Sequence, residues 1–196
     1  MTPLPLPLLL ASSSPARRSL LEKLGLPFAV ASPDIDESPF PGETAENLVI
    51  RLSQAKAMAL ANDYPASLII GSDQVLTIGN ETLSKPGNHE RAREQLERLS
   101  GKTVTFHTGL CLLNTRTRHC QAIAEPFEVS FRQLGTEQIE RYLFADKPYG
   151  CAGSFKAESL GITLFERFQG RDPNSLVGLP LMALVDLLLT EGIVLP

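Results

Sequence analysis

The sequence predicts an α/β protein, a mixed sheet flanked by helices and arranged as two lobes around a central cleft. Three observations carry that expectation. In the first half, short apolar runs alternate with stretches of helical periodicity. In the middle third, Lys102 to Thr108, Leu110 to Leu113 and Ala122 to Phe131 alternate or run apolar, as antiparallel strands do. No repeat, low-complexity tract or long linker divides the 196 residues, 43% of them apolar, so residues 1–196 are expected to form one domain with a substantial core.

The elements follow in order. The opening TPLPLPLLLASSSP has an apolar run before small residues, as a secretory leader does. It lacks a basic start, however, and Pro3, Pro5 and Pro7 would break the helix that such a leader needs. Leu8 to Ala11 is therefore expected as a first buried strand, followed by a serine turn and a helix with Pro15 in its first turn, Leu20, Leu21 and Leu24 inward, and Gly25 as its stop. The Pro- and acid-rich segment Ser32 to Glu43 reads as a loop. Thr44 caps a second helix with Leu48, Leu52, Ala55 and Ala59 on one face. Ser67 to Ile70 is a buried strand ending at Gly71-Ser72-Asp73, and a hairpin through Gly79-Asn80 comes next. A helix over Glu90 to Leu99 turns Ala92, Leu96 and Leu99 inward; further helices are expected over Thr136 to Phe144 and Leu181 to Leu189.

Composition excludes several roles. Acidic residues outnumber basic ones by 22 to 18, so there is no general positive field for nucleic acid and any anion site must be local. Cys111, Cys120 and Cys151 are odd in number and lack metal-ligand spacing, which points to reduced packing thiols and a cytoplasmic protein. Leu179 to Leu189 is too short to span a bilayer and contains Asp186, so no membrane role is expected. His89, His107 and His119 form no zinc pattern, and no Walker-type phosphate loop is present.

Four groups of residues could carry chemistry. Ser12-Ser13-Ser14-Pro15-Ala16-Arg17-Arg18 opens a helix whose unpaired N–H groups, hydroxyls and guanidinium groups suit phosphate oxygens; a capping serine beside a solvated Arg pair would look the same. Asp34-Ile35-Asp36-Glu37 supplies hard oxygen ligands for Mg²⁺ or Mn²⁺, although alternation sends Glu37 to the side opposite Asp34 and Asp36, and a solvated loop has this composition too. Asp73, just beyond a buried strand, sits where open sheets place ligands, and is a candidate metal ligand or general base; an Asx turn ending the strand is the plainer alternative. Lys56 lies about 80° from Leu48 around its helix, beside the apolar stripe, and Lys85 is held extended by Pro86; either could be an ordinary surface lysine.

In combination these segments are specific. L-A-S-x-S-P-x-R-R at Leu10 to Arg18, D-x-D-E at Asp34 to Glu37, K-A at Lys56-Ala57, G-S-D-Q at Gly71 to Gln74, K-P at Lys85-Pro86 and V-G-L-P-L at Val177 to Leu181 occur in the order found in the Maf family, and the resemblance covers nearly the whole chain from Leu8. It implies a fold related to the inosine triphosphate pyrophosphatases and hydrolysis of a nucleoside triphosphate to monophosphate and pyrophosphate with a divalent metal, Mg or Mn. Ser12, Arg17, Glu37, Lys56, Asp73 and Lys85 match the family's functional positions, with Asp73 at the proton acceptor. The mechanism expected on this footing has the divalent cation held by Glu37 and Asp73, and Arg17, Lys56, Lys85 and the Ser12 to Ser14 turn, Ser14 included, neutralising the triphosphate.

Within the family the chain is similar to the subgroup acting on 7-methyl-GTP. The positions that separate it from the dTTP/UTP subgroup are Ala16, Gln74 and Glu158, where the pyrimidine enzymes carry Arg, Thr and Gln. Ala16 departs from the bulky aromatic of the methyl-guanine subgroup. Glu158 could accept two guanine N–H groups, and Phe155 could offer a stacking face; an ordinary turn with a core Phe is the plainer reading of that segment. The rivals are dTTP, UTP or another triphosphate as substrate, and a nucleotide-binding regulator of division whose hydrolysis is incidental. The apolar helix Leu181 to Leu189 would suit either a core or a homodimer.

Overall fold

A computed structural model describes residues 4–79 and 81–195. Its first strand, β1 (Leu8–Ala11), is buried throughout and lies parallel to β2 (Phe28–Ala31) on one side and to the start of β3 (Leu68–Ile78) on the other. A strand enclosed on both faces has no solvated side, which is why LLLA does not alternate. Between β1 and β2 runs α1 (Pro15–Glu22). Ser14 is its N-cap, its side chain accepting from the Arg17 amide, and Pro15 opens the first turn where a missing N–H costs nothing. β2 is not foreseen from sequence, because four small or apolar residues with half-exposed sides carry no period.

The remaining elements are α2 (Ala45–Ala59), β4 (Glu81–Leu83), α3 (His89–Leu99), β5 (Thr103–Asn114), β6 (His119–Phe131), α4 (Thr136–Asp146), β7 (Phe165–Gly170), α5 (Asn174–Val177) and α6 (Leu181–Thr190). The sheet order is β2-β1-β3-β5-β6-β7, with β4 paired to β3. Parallel pairing around β1 and antiparallel pairing of β3 with β4 and of β6 with β7 make it a mixed sheet. The expected hairpin is the β3–β4 pair; of its turn, Gly79 is described and Asn80 lies outside the described residues, as does Pro3.

The chain forms two compact units. The first comprises the residues up to Gln74, Thr108–Glu125 and the residues from Asp172 onward; the second comprises Val75–His107 and Pro126–Arg171. β3, β5 and β6 each run from one unit into the other.

In the first unit the pleat sorts side chains by parity. Leu8, Leu10, Leu68, Ile70, Leu110 and Leu112 join the core cluster that includes Leu20, Leu21, Leu184 and Leu188 of α1 and α6. Leu9, Ala11, Ile69, Cys111 and Leu113 join Ala57 of α2 in the other. α6 is thus a core element, with Leu181, Ala183, Leu184 and Leu188 buried. Among the described residues no helix is long and apolar enough to cross a membrane.

α2 packs unusually close to the sheet. A Cβ added at Gly71 of β3 would collide with the Ser53 carbonyl and lie 3.0 Å from the Ala57 amide, and one at Gly109 of β5 would collide with the Val49 carbonyl. The buried face is therefore Leu48, Val49, Leu52, Ser53, Lys56 and Ala57. This corrects the expected stripe: Ala55 is half-buried and Ala59 is exposed, because the small residues Ser53 and Ala57, rather than the longer apolar run, set which side of the helix can approach. Lys56 consequently lies inside the buried face instead of beside it.

In the second unit Phe155 is enclosed by Phe106, Phe131 and Phe165, with ring centroids 5.5, 5.6 and 4.7 Å away in edge-on geometry. Ala92, Leu96 and Leu99 of α3 are buried as their spacing requires. Gly71→Ala is expected to lower unfolding free energy by about 1–3 kcal/mol through overpacking against α2. Gly150→Ala, with no atom within 4 Å of the added Cβ, should leave the urea midpoint nearly unchanged; equal effects in the two variants would refute the close-packing account.

Candidate active site

Lys56 and Asp73 are each only 7% exposed, and the lysine Nζ donates to Asp73 Oδ1 at 2.6 Å. The same ammonium lies 2.7 Å from Glu37 Oε1. Taking charges this far from water is costly unless they are paired, and here one cation serves two anions. The geometry follows from the fold: the Gly71 contact brings α2 against β3, Lys56 precedes Ala57 at that contact, and Asp73 shares the parity of Gly71 and so faces α2. Asp73 lies within β3, not beyond its end as expected, because the strand continues to Ile78.

The N-terminal turn of α1 is the second component. The Ser12 side chain, on a buried residue, accepts from the Ser14 amide at 3.1 Å, and Ser14 in turn caps Arg17. Arg17 is half-buried and its Nε donates to the Gly178 carbonyl at 2.8 Å. Burial pulls its guanidinium pKa below the usual arginine value, against the opposing influence of Asp73 and then Glu37, which places Arg17 within the field of both carboxylates. It remains a cation throughout the physiological range. Ala16, beside it in the first turn, is half-buried.

The Gly178 carbonyl also accepts from Ser72 Oγ at 2.9 Å. Gly178 has φ +111°, which favours glycine, and a Cβ there would come within 3.3 Å of Arg17 Nε and press on that side chain. The turn that presents it is built by Asp172, which is fully buried and missed by the sequence reading. Its carboxylate accepts from the Asn174 amide at 2.9 Å and side chain at 2.7 Å, and from the Met182 amide at 2.8 Å. Asp-Pro-Asn-Ser at 172–175 is an Asx-type helix start and was the available signal. Gln74 belongs to this scaffold too: its Nε2 donates to Ser175 O at 2.7 Å and Thr108 Oγ1 at 3.0 Å, so its amide donors are engaged within the protein.

The acidic loop divides its carboxylates as alternation requires. Glu37 reaches Lys56, whereas Asp34 and Asp36 are exposed and Asp36 Oδ1 accepts from the Ser38 amide at 2.9 Å. In the second unit Lys85 is exposed after β4, and Glu158 is exposed. Burial, with Glu158 adding like charge, raises the Cys151 thiol pKa. Phe155 is 4% exposed inside its aromatic cluster, which corrects the expectation of an open stacking face: its ring faces are spent on the core.

Among the described residues no group of three or more His, Cys, Asp and Glu side chains could hold a metal. Two carboxylates are nevertheless the protein share that Mg²⁺ ordinarily takes, the rest of its shell coming from water and substrate phosphates. Glu37 and Asp73, both within reach of one ammonium, fit that donor set. The arrangement can neutralise anionic oxygens through Arg17, Lys56 and the α1 N–H groups while Asp73 offers an oxygen to a proton.

A mixed α/β sheet protein with a buried ammonium shared by two carboxylates and a guanidinium at a helix start defines a class built to manage concentrated charge. Residues 7–191 match the family described as Maf-like protein. The chain is 58% identical over 191 residues to a 7-methyl-GTP pyrophosphatase of Pseudomonas fluorescens, covering 97% of this chain and 100% of that one. It is 57% identical over 189 residues to one of Alcanivorax borkumensis, covering 96% of both chains, and 53% identical over 191 residues to one of Nitrosococcus oceani, covering 97% and 96%. Among solved structures it resembles the Staphylococcus aureus Ham1 protein at TM-score 0.45 and 15% identity, over 64% of this chain and 72% of that one. The chain belongs to the Maf family.

The acidic loop gives a pH test. Arg51 draws the Glu43 carboxyl from 4.5 down to about 2, chiefly by hydrogen bonding. A depressed carboxyl pKa stabilises the fold above the unfolded value, so this contribution is complete above about pH 4.5 and is lost as pH falls towards about 2. Urea midpoints followed over that window should fall more steeply in the parent chain than in Glu43→Gln; parallel curves would remove the effect.

Proposed function

We propose that this protein hydrolyses a nucleoside triphosphate to the monophosphate and pyrophosphate, with 7-methyl-GTP as its substrate. The observation that carries the reading is the Lys56 ammonium held between Glu37 and Asp73 with Arg17 in the field of both. Support comes from membership of the Maf family and from relatives more than half identical over their full length that bear the 7-methyl-GTP pyrophosphatase name.

In this mechanism Asp73 accepts the proton of the water that attacks the α-phosphorus. Its Oδ1 accepts from Lys56, and in this mechanism Oδ2 is the oxygen that serves the water. As the new P–O bond forms, the bond to the departing pyrophosphate breaks and negative charge grows on the phosphate oxygens. Arg17, Lys56, Lys85 and the Ser12–Ser14 turn are assigned to stabilise that charge. Mg²⁺ or Mn²⁺ held by Glu37 and Asp73 would supply Lewis-acid polarisation of phosphate oxygens when bound. Glu158, an exposed carboxylate, is assigned to the guanine edge, where two N–H donors are available and a ring made cationic by methylation adds attraction.

Asp73→Asn should lower kcat by about 10²–10⁴. Turnover at the parental rate, with Mg²⁺ or Mn²⁺ present, would end the assignment. Pyrophosphate release measured across 7-methyl-GTP, GTP, dTTP and UTP should favour the first, and Glu158→Gln should erode that preference. Triphosphate binding without any pyrophosphate release would instead identify a nucleotide-binding regulator.

A further inference from the structure

Glu37 sits in a loop with no regular secondary structure, and its side chain is 59% exposed, so core packing does not hold it against Lys56. The loop is secured from α2. Arg51 Nε lies 2.7 Å from Glu43 Oε1 and its Nη2 lies 2.8 Å from Glu43 Oε2, a two-point contact. The same Nη2 donates to the Ser38 carbonyl at 3.0 Å, on the residue next to Glu37. The guanidinium also lies over the Phe40 ring, 4.0 Å from its centroid, while the Phe40 amide donates to Glu43 Oε2 at 3.0 Å. Ser38, Phe40 and Glu43 are thus tied to a single side chain.

The contact is sheltered, with Glu43 only 8% and Arg51 26% exposed at their side chains. That separates it from the exposed Arg18–Glu22 pair, where both side chains are more than half exposed. Arg51 and Lys56 stand on the same helix, so whatever fixes the loop to Arg51 also fixes it relative to Lys56. A planar fork suits this task because it fills both carboxylate oxygens and still donates sideways, which a lysine ammonium cannot do with the same direction.

We infer that Arg51 is a positioning residue for the reaction: clamped on Glu43 and the Ser38 carbonyl, it holds the acidic loop so that Glu37 meets Lys56. It touches neither Asp73 nor Lys56 in this role and acts through Glu37, so the inference rests on Glu37 being a working group of the proposed hydrolysis.

The test uses the full chain. Arg51→Ala should raise amide hydrogen exchange about tenfold across residues 36–43 while the amides of α2 keep their protection. With 7-methyl-GTP and Mg²⁺, kcat should fall on the order of 10²-fold and KM should move much less, because displacing a reacting group by about 1 Å carries that cost. In a Glu37→Ala background the same substitution should add almost nothing. Arg51→Lys, which keeps the charge against Glu43 but loses the fork that also reaches the Ser38 carbonyl, should fall between the parent and Arg51→Ala in both loop exchange and kcat, which guards against a mere folding defect. Unchanged loop exchange, or losses that multiply independently with Glu37→Ala, would overturn the inference. If the parent chain hydrolysed no triphosphate, the functional reading would fall, while the exchange measurement would still decide whether Arg51 orders the loop.

Discussion

One ammonium shared between two carboxylates organises the first unit. Lys56 and Asp73 are nearly withdrawn from solvent, and either alone would be a costly buried charge. Their pairing goes with an α2 backbone that approaches β3 more closely than a side chain at residue 71 would permit. That approach is possible only because residue 71 is glycine and because α2 turns Ser53 and Ala57 to it. The ion pair and the close contact are therefore one feature: enlarging Gly71 would lift the helix that carries Lys56 away from the strand that carries Asp73.

The pleat of β3 then distributes partners without further instruction. Gly71 and Asp73 face α2, while Ser72 and Gln74 point to the opposite side and meet the α5 segment, Ser72 on the Gly178 carbonyl and Gln74 on the Ser175 carbonyl. Four consecutive residues thus serve two faces. The even pair anchors the turn that receives Arg17, and the odd pair builds the ion cluster. A register slip of one residue would exchange these roles and leave Asp73 among the leucines of the α1–α6 core.

Much of this was legible in the chain. Leu8 to Ala11, the Ser14 cap, the α3 stripe and the division of the acidic loop at Glu37 all follow from local rules that tertiary contacts do not override. The misses have a common physical cause. Gly71-Ser72-Asp73 reads as a turn, which would put Asp73 past a strand end, whereas β3 continues to Ile78 between its neighbours in the sheet. On α2 hydrophobicity ranks Ala55 and Ala59 above Ser53, whereas backbone proximity selects for smallness and buries Ser53 and Ala57. From sequence Phe155 reads either as a stacking surface or as a core ring, because its three aromatic neighbours come from other segments and no spacing rule reports that convergence. Asp172 and Arg51 both act by holding other groups in place; Asp172 carries a local signal in Asp-Pro-Asn-Ser, whereas Arg51, paired eight residues away with Glu43, has no motif of its own.

The cations around the site differ in what they leave available. Arg51 meets Glu43 through both Nε and Nη2, so its charge is cancelled and serves architecture. Arg17 donates its Nε to a neutral carbonyl, which fixes the side chain without neutralising it. Lys56 is balanced by two carboxylates rather than one. Counted formally, Arg17, Lys56, Glu37 and Asp73 sum to zero, and a set without net charge gives a polyanion no Coulomb reason to approach. On the proposed reading, attraction for a triphosphate must then come from the positive end of α1 and from a divalent cation accompanying the nucleotide. This is the electrostatic reason for assigning Glu37 and Asp73 to the cation and Arg17 to the phosphate oxygens, and not the reverse.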